Sequence, residues 1–150
     1  MTAEEMIKAA GIEGPYEAWC FGVMADELAD LVLKGIKTAT ASALELYEID
    51  EEPVPKEGDI SVILDSSDEA VCVIRDTKVY AVPYREVSAR QAYMEGEGDR
   101  TLEAWRQVHH AFFTREMESY GLSFSEDMMV LCEEFEVIYP LASGGEQEKK

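Results

Sequence analysis

Cations are scarce in this chain: Lys and Arg number 13 against 32 Asp and Glu, for a formal net charge of −19. A field of that sign repels a nucleic-acid backbone at long range, which argues against a duplex DNA partner but leaves room for one local basic pocket. Long apolar runs are also missing. None approaches the roughly 18–20 residues that cross a bilayer, so no membrane partner is expected. The first residues, Met1-Thr2-Ala3-Glu4-Glu5, lack a basic stretch followed by an apolar one and do not read as a secretory signal. A cytoplasmic location is the expectation. Cysteine is sparse, with three residues. Cys20, Cys72 and Cys132 lie far apart, none at metal or redox spacing, and each has apolar neighbours, so all are expected as buried, reduced core thiols. The two histidines, His109 and His110, are adjacent and therefore about 100° apart on a helix, which excludes a same-face metal pair. Neither a metal nor an organic cofactor is expected.

What the chain does have is enough apolar sequence to fold. At 150 residues, 47% apolar and 30% charged, it fits one globular domain over residues 1–140 with a flexible tail over 141–150. Residues 3–10 read as a short helix with Met6, Ala9 and Ala10 inward. Residues 16–21 are aromatic-rich and suit a strand or a packed loop. Met24, Leu28, Leu31 and Val32 recur with helical period, and Gly35 is placed to cap that helix in the left-handed conformation. Residues 38–40 read as extended and 41–47 as a helical turn. Residues 60–64, 70–74 and 78–82 are rich in β-formers, with a bend expected at 75–77. A short helix is expected over 87–94 and a longer one from Leu102 to about Glu118, striped by Leu102, Trp105, His109, Phe112 and Phe113 and capped by Asp99 or Thr101. Residues 129–132 and 135–139 close the chain as strands. Strands clustered mid-chain between helices imply an α+β fold, a small curled antiparallel β-barrel with flanking helices whose mouth suits one small ligand.

Two stretches carry candidate chemistry. Gly35-Ile36-Lys37-Thr38-Ala39-Thr40 sets a lysine and two hydroxyls just past a helix stop, the group types that hold and polarise a carbonyl or phosphate. Glu95-Gly96-Glu97-Gly98-Asp99 adds carboxylates between glycines whose backbone N–H groups can approach a ligand closely. The alternating acids mimic a calcium loop, but Arg100 stands where a glycine is needed and Arg106 where the last ligand glutamate belongs, which excludes calcium. Residues three apart on a straight strand face opposite sides, so Lys37 and Thr40 converge only if the backbone bends after Gly35. Trp19, Trp105 and His109 suit both a core and a pocket wall.

These pieces, in order, resemble the ASCH (activating signal cointegrator homology) domain, in its longer bacterial stand-alone form. The matching residues are Trp19-Cys20-Phe21-Gly22, Gly35 through Ser42, Gly58-Asp59-Ile60-Ser61, Glu95 through Asp99, Trp105-Arg106 with His109, and Val130-Leu131-Cys132-Glu133. The resemblance implies a PUA-like barrel and an RNA- or nucleoside-related pocket. Some small members are metal-independent amidohydrolases that remove the acyl group from N-acetylated cytidine with a Lys, a Thr and a Glu; others bind or cleave RNA. On that pattern Lys37 and Thr40 are catalytic candidates, with Glu95 or its rival Glu97 as the acid. Trp19, Thr38, Ser42, Gly96, Gly98, Asp99, Trp105 and His109 are candidate ligand contacts. Small members commonly carry an arginine where this chain has Ser42, so that arginine's role does not transfer. The leading expectation is therefore a nucleobase-binding domain acting on an acylated nucleoside. The alternative is a single-stranded RNA-binding module or weak ribonuclease, which requires Lys34, Lys37, Lys56, Arg75, Lys78, Arg85, Arg90 or Arg100 to gather on one face. A third reading is an acidic interaction domain with a vestigial pocket.

Overall fold

Short-range signals account for most of the elements. A computed structural model describes residues 1–141, so residues 142–150 of the expected tail lie outside the described residues. In chain order the elements are α1 (Ala3–Ala10), β1 (Glu17–Trp19), α2 (Ala25–Leu33), β2 (Ala39–Ala43), α3 (Leu44–Ile49), β3 (Ile60–Leu64), β4 (Ala70–Pro83), a 3-10 turn (Tyr84–Glu86), α4 (Ala89–Glu95), α5 (Leu102–Ser119) and β5 (Met129–Tyr139). The strands form one curled sheet in the order β1-β3-β4-β5-β2. The class is α+β, as expected, and the sheet is mixed because β1 runs parallel to β3. Contacts fall into two compact units, Met1–Lys37 with Glu57–Thr77 and the chain from Phe135, and Thr38–Lys56 with Lys78–Glu134.

In the first unit, Thr2 and Glu5 form a reciprocal capping box at the start of α1: the Thr2 side chain accepts from the Glu5 N–H (3.1 Å) and Glu5 Oε1 from the Thr2 N–H (2.8 Å). Met6 and Ile7 are the buried residues of α1, in place of the expected Ala9 and Ala10. Their larger side chains remove more apolar surface from water against Val62 and Val73. Helix α2 buries Leu28, Ala29 and Val32, whereas Met24 is exposed ahead of it. Its end is a Schellman motif: Gly35 N–H donates to the Val32 carbonyl and Ile36 N–H to the Leu31 carbonyl, each at 3.0 Å, with Gly35 at φ +77°. Strands β3 and β4 pair antiparallel, Ile60 opposite Arg75, around a turn in which Asp65 Oδ1 accepts from the N–H groups of Ser67 and Glu69. The bend expected at 75–77 does not break β4. Gly58 N–H donates to the Asp76 carbonyl and Asp76 N–H to the Asp59 carbonyl, which keeps this stretch paired.

In the second unit, β2 pairs antiparallel with β5, from Ala39 opposite Glu134 to Ala43 opposite Val130. Residues 41–43 are thus strand, not the expected helical turn; α3 starts only at Leu44. Ala41 and Ala43 pack toward a core built from Tyr84, Trp105, Phe113, Met117, Val130 and Cys132. Small side chains there let the strand lie close to that aromatic core. Helix α5 is capped by Thr101, whose side chain accepts from the Ala104 N–H (3.1 Å), and its buried face is Trp105, His109, Phe113 and Met117. Two cysteines are buried as expected, but Cys20 is exposed just after the three-residue β1, where no ladder continues to cover it.

Candidate functional site

Helix α4 buries two polar side chains in the second unit. Ser88 caps it, its hydroxyl accepting from the Gln91 N–H (3.0 Å), and Gly96 ends it in the left-handed conformation at φ +72°. Gln91 and Glu95 are one helical turn apart and share its inner face with Ala92, each of the two polar side chains only 1% exposed. Glu95 is held from two sides. Trp105 Nε1–H donates to Glu95 Oε2 at 2.7 Å, and Gln91 Nε2–H donates to the same oxygen at 3.0 Å. His109 Nε2 stands 3.5 Å from Oε1.

The tautomer of His109 follows from its other nitrogen. Nδ1 lies 2.9 Å from the Trp105 carbonyl, which only accepts, so Nδ1 carries a proton. Nε2 then attracts the Glu95 carboxyl only when a further proton lies on one of the two. The two groups face each other in a nearly dry place, Glu95 1% and His109 9% exposed. The His109 ring stacks on Trp105 at 4.0 Å and 13°, and Tyr84 stacks on Trp105 at 5.6 Å, so the indole contributes its N–H while rings cover its surface. Glu97, the rival acid, is half-buried, while Gly98 and Asp99 are exposed.

Lys37 belongs to the first unit and is 1% exposed. Its backbone N–H donates to the Leu31 carbonyl (3.0 Å), which ties it to the end of α2, and its ammonium lies 5.4 Å from the Phe21 ring centroid. That is cation–π distance, an attraction that strengthens where water is excluded. Trp19 sits in the same unit, half-buried and edge-to-face with Phe21 at 5.1 Å. Strand pairing starts only at Ala39, so the alternation of a straight strand does not bind Lys37 to Thr40.

Among the hydroxyls, Thr38 is committed to structure: its N–H (2.7 Å) and Oγ1–H (3.3 Å) both donate to the Met94 carbonyl. Thr40 and Ser42 alternate with the core-facing alanines of β2. Ser42 Oγ shares a 2.8 Å hydrogen bond with the Tyr47 hydroxyl, whose pKa burial pushes up to about 12. The carbonyl of Thr40 accepts from Gln91 Nε2–H at 3.1 Å. Sequence reasoning passed over Gln91 and its partner Tyr80, whose hydroxyl donates to Gln91 Oε1 at 3.3 Å. The signal was present: a glutamine at i and a glutamate at i+4 flanking an inward alanine put amide and carboxylate on one apolar face.

Of the cations set out for RNA binding, four are matched by carboxylates: Lys34 with Asp30, Arg75 with Glu136, Arg85 with Asp127 and Arg90 with Glu134. Arg100 folds back on Tyr93, 3.8 Å from its ring centroid, and donates to its carbonyl. An open depression of about 590 Å³ is lined by Tyr84, Arg85, Arg106, Gln107, His110 and Glu126; of these, Arg85 belongs to the candidate RNA-binding cations and none to the Lys37, Thr40 and Glu95 set.

A curled five-stranded sheet with flanking helices and a buried polar cluster places the chain among PUA-like proteins. A family model for the ASCH domain matches residues 17–139, and the chain belongs to that family. An ASCH domain from Lactobacillus crispatus JV V101 superposes with a TM-score of 0.84 at 29% identity, over 91% of this chain and 93% of that one. A protein from Enterococcus faecalis V583 does so with a TM-score of 0.80 at 33% identity, over 97% and 92%. No curated protein matches the chain in sequence.

Proposed function

We propose that this ASCH domain binds a nucleobase-containing small molecule and hydrolyses an acyl amide on it, as in an N-acetylated cytidine, with Lys37, Thr40 and Glu95 as the working groups. The observation that carries the reading is the Glu95 cluster, a carboxylate 1% exposed yet supplied with an indole N–H, an amide N–H and an imidazole. Burying ionisable groups is costly, and such groups concentrate where proton transfer is needed. In the reaction, either water adds to the acyl carbon, or the Thr40 hydroxyl does and the acyl ester it forms is hydrolysed by water in a second step; the proton of the attacking hydroxyl or water goes to Glu95. The Lys37 ammonium stabilises the oxyanion, and Glu95 passes a proton to the departing amine, leaving a free acid and the nucleoside amine. Glu95 is preferred to Glu97 because it is buried whereas Glu97 is half-buried. An RNA-binding surface has less support, since Lys34, Arg75, Arg85 and Arg90 already face carboxylates.

The test is turnover of N-acetylated cytidine by the wild type, Lys37→Ala and Glu95→Gln. The expected result is deacylation by the wild type and a loss of roughly 10²–10⁴-fold in kcat for Glu95→Gln. A wild type inert on acylated nucleosides, yet binding single-stranded oligonucleotides with steep salt dependence, sinks the hydrolase reading and establishes the RNA one.

A further inference from the structure

Gln91 turns its amide nitrogen to two of the residues assigned to chemistry. Its amide nitrogen donates to the Thr40 carbonyl (3.1 Å) and to Glu95 Oε2 (3.0 Å), while its oxygen accepts from Tyr80 O–H (3.3 Å). An amide has two N–H donors and a carbonyl, and the Thr40 carbonyl and Glu95 carboxylate only accept, so these two decide which way round the group sits and the Tyr80 hydroxyl completes its oxygen side. A flipped amide would turn its oxygen toward the Glu95 carboxylate and its nitrogen toward the tyrosine. With the side chain 1% exposed, water is poorly placed to substitute for a lost partner.

From this geometry we infer that Gln91 is a positioning residue, buttressed by Tyr80, which fixes the Glu95 carboxylate and ties the backbone of Thr40 to it. The inference rests on the acid–base role proposed above for Glu95. Gln91 acts through Glu95 in two ways. It holds one carboxylate oxygen, together with Trp105 Nε1–H, so that the other oxygen stays toward His109. It also donates to the ionised form, which makes the carboxylate a weaker base than burial alone would leave it. Titratable and charged groups facing this cluster include His109 from α5, Tyr80 from β4, Cys132, Glu133 and Glu134 from β5, and Arg90, which is ion-paired with Glu134. Burial pushes the tyrosine and the thiol each to about 12, so neither changes charge near neutral pH.

The indole N–H of Trp105 gives a readout that needs no substrate, because it donates to the same oxygen as Gln91. Its proton resonance, identified by its absence in Trp105→Phe, is followed against pH in the wild type, Gln91→Met and Tyr80→Phe. Gln91→Met keeps length and bulk but removes the donors, and its indole titration is expected to move up by about one pH unit. Tyr80→Phe removes only the hydroxyl that donates to the Gln91 oxygen and is expected to shift the curve the same way by less; it decides the matter if Gln91→Met does not fold. With an active wild type, the acid limb of kcat/KM moves with the indole curve while KM stays put. Indole titrations that coincide in all folded variants overturn the role of Gln91, even if the wild type turns over. A shifted titration with an inert wild type keeps the positioning role and rejects the hydrolase.

Discussion

Glu116 on α5 carries the one buried side-chain oxygen, Oε1, left without a hydrogen-bond partner among the described residues. Burial, and secondarily the nearby Asp50 carboxylate, hold its pKa above the usual carboxylate range. A folded-state pKa raised above the unfolded one means that stability is fullest at pH below the unfolded value and is lost as pH rises through the folded value. Glu116→Gln is therefore expected to stabilise the protein at pH 7 and to make no difference near pH 4. Solvent screening limits the gain to on the order of 1 kcal/mol or less. Denaturant melts of both proteins at the two pH values check this, and an equal difference at both would refute it. At the same scale, Lys37, Thr40 and the acidic loop stood out in the sequence as candidates because residue types and order suffice for a motif. It did not separate Glu95 from Glu97. That distinction depends on which carboxylate meets Trp105 and Gln91, a matter of helix phase that a two-residue displacement reverses.

At the scale of elements, the end of α2 does the most positioning for its size. The Leu31 carbonyl accepts from the N–H groups of both Ile36 and Lys37, so the left-handed turn at Gly35 sets where the Lys37 backbone leaves the helix. A Cβ at Gly35 would meet nothing within 4 Å, so Gly35→Ala carries only the backbone cost of φ +77°, about 1 kcal/mol. Gly35→Asn, better tolerated in that conformation, is expected to lose less. Thermal melts rank the three, and an alanine variant as stable as the wild type contradicts the account. Capped helices were legible because their signals are local: Thr2 with Glu5, Gly35, Thr101. Strand continuity was not. Residues 75–77 and 133–134 are charged or polar and read as interruptions, yet β4 and β5 run through them. There the backbone is fixed by partners distant in sequence, such as Asp59 for Asp76, and Glu134 is ion-paired with Arg90. Likewise 41–43 became strand because β5 was available to pair with it, which no local propensity encodes.

Taken as a whole molecule, the chain carries a net −19, and several of its few cations already face carboxylates. Self-repulsion of that size opposes compaction and is screened over about 10 Å at 0.1 M salt. Raising sodium chloride from about 0.05 to 0.5 M is expected to raise the melting temperature by a few degrees. A fall would mean that attractive ion pairs outweigh the excess negative charge. Turnover of a neutral nucleoside should change little over the same range, whereas oligonucleotide affinity would collapse.

The division into two compact units has a bearing on synthesis. Neither unit is a continuous piece of chain: the first draws on Met1–Lys37, Glu57–Thr77 and the residues from Phe135, the second on Thr38–Lys56 and Lys78–Glu134. Strand β2 is made early, yet its ladder partner is β5, the last strand of the order. A ribosome thus delivers Lys37 and Thr40 long before the segment that pairs with β2 has been translated. Folding from one end to the other as the chain emerges is closed to such a protein, and the nascent polypeptide must wait for residues 129–139 before either half can be completed.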